Sequence, residues 1–391
     1  MSNTKAWTVT LSAIFTAVVI AITQNKIIPC ISLLANVFDV SASTAGWFSS
    51  VFCVTGIVTA FPAATCIDRF GVKKACVFSA SCAAVGSLIG ALSHSAGVFL
   101  ISRVIEGVGA GVISVAVPTI IAGVFPPQKR GLPSGIWTSW QSTSQVVCFF
   151  CITPGIAAVG WRNVWYIGLV LAICAAVLSL CIVDIPGQDV SPRATESPRQ
   201  THSIHAALQE RPMWLVSFAM FCFCFVSVGF VTWIAECWVQ TMGMKINLAN
   251  QYVGILAIVA IPFIISAGKL MDMVNRHRFA IAAYTGFALV SAGSFLLPGT
   301  KVLPIFIIAY SIFDSAASSA LWAIIPQTVR EKDNIPIAVA VFILCSNLGM
   351  LIGPPLVGFT AELFGWKAVS VLFAAVIVPG TVAMFRTKDC T

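Results

Sequence analysis

Asp68-Arg69-Phe70-Gly71-Val72-Lys73-Lys74 is a charged, glycine-centred turn, and a shorter counterpart recurs as Gly268-Lys269-Leu270-Met271-Asp272, closing on Arg276-His277-Arg278. Four charges in seven residues require water, yet the stretches on either side, 44–67 and 75–93, are almost wholly apolar or small. A helix needs ~20 apolar residues to cross a hydrocarbon core of ~30 Å. The turn therefore reads as a joint at a bilayer surface between two spanning helices.

Outward from this joint the same alternation continues. Apolar runs predict helices at 7–31, 44–67, 75–93, 97–125, 132–158 and 163–183, then at 213–240, 250–271, 278–298, 302–327, 335–360 and 367–386. The run from Trp7, preceded by Lys5, reads as a retained first helix rather than a cleaved leader. Between the two sets, 184–212 holds Pro186, Gly187, Pro192 and Pro198 among Ser, Thr and charges, and reads as a linker. Composition agrees: 58% of the 391 residues are hydrophobic and 9% are charged, against ~25% charged in a soluble domain.

The net charge of +8 does not point to nucleic acid, because the basic residues fall in the gaps between apolar runs and form no basic face with interleaved aromatics. With both termini cytoplasmic, that side holds sixteen Lys and Arg, from Lys5, Arg69, Lys73 and Lys74 to Arg386 and Lys388, and the other holds Arg162, Lys245, Lys301 and Lys367. The positive-inside rule then places both termini inside. The fourteen Cys are scattered through apolar segments with no zinc-type spacing, and the four His are far apart or in loops. No cofactor or metal is expected.

An internal repeat organises the chain. Asp68 and Asp272 are 204 positions apart, Gly160-Trp161-Arg162 and Gly365-Trp366-Lys367 are 205 apart, and Pro133 and Pro336 are 203 apart. Three landmarks at nearly one offset predict two six-helix bundles, 1–183 and 213–391. They are expected to be related by a pseudo-twofold axis along the membrane normal, with a site near the midplane.

These residues carry a resemblance. The D-R-x-G-x-K-K turn, its second copy and the 6+6 repeat resemble the major facilitator superfamily over essentially the whole chain. The resemblance implies that Asp68, Arg69, Gly71 and Lys73, with Gly268, Asp272 and Arg276, control the conformational switch at the cytoplasmic side. The family's leading Gly, four before the Asp, is Ala64 here. Arg103-Val104-Ile105-Glu106-Gly107-Val108-Gly109 resembles the family's R-x-x-x-G-x-G fourth-helix motif. Gly349 to Gly358, with Pro354 and Pro355, resembles the Gly-Pro motif of drug/proton antiporters, but in the eleventh helix; the fifth departs from it as Trp137-Thr138-Ser139-Trp140-Gln141. Pro118-Thr119-Ile120-Ile121 with Phe125, Lys129 and Gly135-Ile136-Trp137, and Asn25-Lys26 in the first helix, resemble the cyanate/nitroimidazole branch, which carries small anions.

Candidate site residues are those that do not belong in lipid. A charge at a helix centre costs ~2.5–3.5 kcal/mol on insertion scales, yet the apolar runs contain Lys26, Arg103, Glu106, Glu236 and Asp314. Lys26, beside Asn25, faces a cavity if the helix continues past Pro29, or snorkels if it stops there. A cavity cation suits an anionic ligand. Arg103 and Glu106, three apart, share a helix face. Ser134, Thr138, Gln141, Ser142 and Gln145 form a polar stripe within a ~80° arc of an unbroken fifth helix. Gly229, Thr232, Trp233, Glu236 and Gln240 share a face of the seventh, and Asp314, Ser318 and Trp322 one of the tenth. Arg103, Glu106, Glu236 and Asp314 are candidates for proton coupling; Glu236 or Asp314 is alternatively the fixed counter-ion of Lys26 or Arg103. Trp137, Trp140, Trp233 and Trp322 wall a ligand or pack.

The expectation is therefore an all-α protein of the cell inner membrane with twelve transmembrane helices. It is a secondary transporter rather than an enzyme, moving a small organic or inorganic anion by rocker-switch alternating access, proton-coupled or by exchange. Its partners are the small-molecule substrate, lipid and protons. A proton-coupled exporter of amphipathic or cationic compounds is the competing reading, and a membrane sensor on a transporter scaffold the remote one.

Overall fold

A computed structural model describes residues 3–126, 129, 131–182, 210–273, 276–297, 299–329 and 335–387. All regular structure among them is helical. Among the described residues eleven helices are long and apolar enough to cross a membrane. The second is the twelfth of the set, divided at Val51 into Ala42–Ser50 and Phe52–Phe70. Most of the expected linker, 184–209, lies outside the described residues, as do Arg130, Arg330, Lys332 and Lys388; Arg211 and Pro212 already open the seventh helix, Arg211–Met242. There Pro212 needs no backbone donor, since the first turn has no acceptor for one.

The repeated landmarks have a backbone cause. Gly71, at φ 84°, ends Phe52–Phe70 and opens Val72–Leu92. Gly160 (φ 83°) and Gly365 (φ 77°) make the equivalent one-residue joints before Trp161–Ile182 and Trp366–Thr387. A left-handed φ costs an L-residue roughly 1–2 kcal/mol. Glycine at these positions lets one spanning helix turn directly into the next.

Two helices differ from the expected spans. The first runs Asn3–Asn25, passes through a 3-10 turn at Ile28–Cys30, and resumes as Ile31–Phe38. Pro29 lacks the N–H that an α-helix needs there, and the apolar run beyond it still favours helix. The fifth is broken at Ser139, between Gly131–Thr138 and Trp140–Val147, and widens to a π-turn at Cys148–Ile152 before Thr153–Val159. Pro154, whose ring would collide with the carbonyl four residues back, accounts for that widening. The unbroken ~80° stripe assumed for this helix at 100° per residue is therefore not preserved.

Packing divides the chain into two compact units, Met1–Val40 with Val51–Ala194 and Ser41–Ser50 with Thr195–Thr391. The first is built on small and branched residues, Ile20, Ala83, Ile113, Val117 and Ala172 among them. In the second, Phe230 stacks on Tyr310 at 4.0 Å between ring centroids, and Phe295 meets Phe373 at 5.4 Å. Ser41–Ser50 belongs to the second unit through close backbone packing; a Cβ on Gly46 would lie 2.6 Å from Pro355 Cα.

Candidate functional site

The break after Asn25 creates the site in the first unit. Lys26 N still bonds to Ile22 O at 2.9 Å, but the α-helix ends at Asn25, with the carbonyls of Thr23 and Gln24 in its last turn. Arg103, from the fourth helix, Ala96–Val124, takes them: Nη1 donates to Thr23 O at 2.8 Å and Nη2 to Gln24 O at 2.6 Å. A cation at a helix C-terminus also meets the negative end of its dipole. The guanidinium thus caps a helix end inside the bundle.

Glu106, one turn along from Arg103, joins the two cations. Its Oε2 accepts from Arg103 Nη1, and its Oε1 lies 3.0 Å from Lys26 Nζ. Ser87 of the third helix accepts from Lys26 Nζ at 2.8 Å and donates to Glu106 Oε1 at 2.9 Å. The ring of Trp165, from the sixth helix, lies 4.7 Å from Lys26 Nζ. Lys26 and Arg103 are 0% exposed and Glu106 2%. Charges so deep persist only when paired and hydrogen-bonded, and here each is.

Glycines make the room. A Cβ on Gly86 would collide with Glu106 Cγ and sit 2.8 Å from Ser102 O, and one on Gly168 would lie 3.2 Å from Lys26 Nζ. Gly90 gives Trp165 its place in the same way, a Cβ there lying 2.6 Å from the indole Cδ1.

Beside the charges lies a neutral polar edge. Asn25 Nδ2 donates to Gln141 Oε1 at 3.0 Å and to Ser144 Oγ at 2.7 Å, and Gln141 Nε2 donates to Gln24 Oε1 at 3.3 Å. Gln24, Gln141, Ser142 and Gln145 are half-buried. Trp137 and Trp140 stack at 4.7 Å and pack against the first unit's core. Of Thr138 only the backbone is described.

The second unit holds the remaining candidates apart from one another. Trp233 is buried and donates to Pro354 O at 2.8 Å, so its indole packs on the eleventh helix. Glu236 accepts from Gln240 at 2.8 Å, and Gln240 in turn accepts from Trp366 Nε1 at 2.8 Å. Trp322 is 46% exposed, with its ring 4.9 Å from that of Phe342. Asp314 is half-buried and accepts from Ser227 Oγ at 2.8 Å. The carboxylate that pairs with Lys26 and with Arg103 is Glu106, rather than Glu236 or Asp314. Arg69 is exposed, with its guanidinium 5.6 Å from the Phe70 ring centroid. Lys73 is half-buried; the side chains of Asp68, Asp272 and Arg276, and the surroundings of Gly268, are outside the described part.

Sequence reasoning missed Ser87, Ser144, Trp165 and Ser227. The small-residue spacing Gly86-Ser87-x-x-Gly90 was the available signal, since such spacing marks close helix approach in membranes.

Among the described residues, eleven helices long and apolar enough to cross a membrane, with a buried ionic cluster and a polar edge in the first unit, define a multi-pass membrane protein. The model of the Major Facilitator Superfamily matches residues 13–334, and the chain belongs to that superfamily, whose members are transporters and not enzymes. It is 24% identical over 337 residues to a Bacillus subtilis protein provisionally named as a niacin/nicotinamide transporter, covering 83% of this chain and 81% of that one. It is 22% identical to the hexuronate transporter of the same organism, covering 89% and 85%. Among solved structures it matches a bacterial homologue of the human lysosomal transporter Spinster at 16% identity, with a TM-score of 0.79 and 100% and 98% of the chains covered. The D-xylose–proton symporter matches at 18% identity, with a TM-score of 0.71 and 97% of each chain covered.

Proposed function

We propose that this secondary transporter carries a small organic anion, a carboxylate, across the cell membrane by alternating access. The polar edge of Gln24, Asn25, Gln141 and Gln145 would receive it, with Trp137 and Thr138 on the same helix. The observation that carries this reading is the charge balance of the buried cluster: Lys26 and Arg103 stand against Glu106 alone. An excess positive charge behind a neutral polar edge attracts an anion without itself being exposed. At an effective dielectric constant of ~20, such a charge stabilises an anion ~8 Å away by roughly 2 kcal/mol. Niacin, named together with the neutral nicotinamide for one relative, and hexuronate, named for another, carry a carboxylate, which supports the same class.

A thermal-shift panel with nicotinate, glucuronate and the neutral nicotinamide tests it. A ligand at ~100 times its dissociation constant adds ~2.7 kcal/mol of stability. Lys26→Gln leaves Arg103 and Glu106 as a neutral pair, so the fold should survive while anion affinity drops roughly 30-fold, the equivalent of the ~2 kcal/mol above. Equal stabilisation of wild type and variant, or a response to nicotinamide but to neither anion, would overturn the reading.

A further inference from the structure

Two of the interior carboxylates, Glu106 and Asp314, are bound in opposite ways. Glu106 is saturated: two cations and the Ser87 hydroxyl hold its two oxygens. Protonating it would leave Lys26 and Arg103 facing each other without a counter-charge, inside a site closed to water. Asp314 is held only from one side. Ser227 Oγ donates to its Oδ1 at 2.8 Å, and among the described residues no cationic side chain lies within ion-pair distance of it.

Its surroundings match a group that changes charge. Tyr310, one turn earlier on Leu303–Ile324, places a buried hydroxyl beside Ser227 and Asp314. The seventh helix presents Ser227 and the thiol of Cys224, itself bonded to Ser346 Oγ at 3.2 Å. The eighth presents backbone carbonyls, those of Leu256 and Ala260, which accept from Ser311 and Ser315. The ninth presents Phe287 and Gly286, against Tyr310 and Phe313. The charged residues of those two helices, Lys269, Asp272, Arg276, His277 and Arg278, cluster at one end, between 269 and 278. A carboxylate in apolar surroundings with a hydroxyl donor and no cation can be neutralised by one proton at little structural cost.

We propose that Asp314, and not Glu106, carries the coupling proton. Asp314 takes one proton from water on one side of the membrane and returns it to water on the other, so that one positive charge accompanies the cargo. Ser227 positions the carboxylate. The proposal rests on the organic-anion reading only for what the proton accompanies.

Infrared pH-difference spectroscopy of the purified protein tests it without any substrate. The carbonyl-stretch intensity of protonated carboxyls should grow as pH falls in the wild type, and the isosteric Asp314→Asn should lack one component of it, seen in the wild-type-minus-variant difference. In Ser227→Ala that component should persist but move in frequency, because the hydrogen bond to that carboxyl is gone. A wild-type-minus-Asp314→Asn difference without a carboxyl component, or an unmoved component in Ser227→Ala, would each overturn the assignment. In proteoliposomes, Asp314→Asn should keep nicotinate or glucuronate counterflow without a pH gradient and lose gradient-driven uptake. Wild type without counterflow of either anion sinks the anion reading alone, because the infrared result stands apart from it.

Discussion

Glu106 is the residue on which the first unit's interior depends. Removing one partner of a buried ion pair costs roughly 3–5 kcal/mol, because the other charge is left uncompensated. Glu106→Gln leaves two buried cations in that state, whereas Lys26→Gln leaves a neutral pair. The single Glu106→Gln variant should therefore melt well below Lys26→Gln in detergent, and adding Lys26→Gln to it should restore part of the loss. Additive losses would mean that the two side chains do not interact. The Arg103–Glu106 contact was legible in the sequence because residues three apart on a helix are neighbours wherever the helix goes. The partner of Lys26 was not legible. It depends on how closely the first, third and fourth helices approach, and hence on glycines whose role appears only once the helices are packed.

At the scale of the helix, the bilayer makes length legible and sequence chemistry makes breaks only partly so. A spanning segment must satisfy its own backbone polar groups, so an apolar run bounded by charges can be read as a helix with some assurance. Pro29 signalled a break, but not that the helix would resume at Ile31 and leave carbonyls for Arg103 to cap. The break at Ser139 and the π-turn at Cys148–Ile152 were hidden by the assumption of 100° per residue. The tightness of the third helix against the fourth gives a prediction of its own. Gly86→Ala puts a methyl group 2.8 Å from Ser102 O, a backbone atom that has nowhere to move, so roughly 1–3 kcal/mol of overpacking strain is expected. Gly97→Ala meets nothing within 4 Å and should leave the melting temperature unchanged or slightly raised. If both variants behave alike, small residues on the third helix are a matter of composition and not of fit.

For the whole molecule, the sequence carries an orientation that packing alone does not. The sixteen-to-four division of Lys and Arg acts during insertion, through the cost of moving positive charge across the membrane, and leaves its record in loops rather than in the core. The glycine joints fit this logic. Gly71 turns the chain between helices beside Arg69, Lys73 and Lys74, whereas Gly160 and Gly365 turn it beside Arg162 and Lys367. The first joint should therefore lie on the cytoplasmic side and the other two on the opposite side. Lys74, Lys245 and Lys301 are exposed and suit a direct reading. With a membrane-impermeant maleimide on intact cells, Lys245→Cys and Lys301→Cys should gain label over the parent protein, and Lys74→Cys only after the membrane is opened. Among the described residues the parent thiols lie within helices, and the label is read as the gain over the parent protein. Labelling of Lys74→Cys in intact cells would invert the topology. It would also move the Asp68 turn, and any gating role assigned to it, to the outer face.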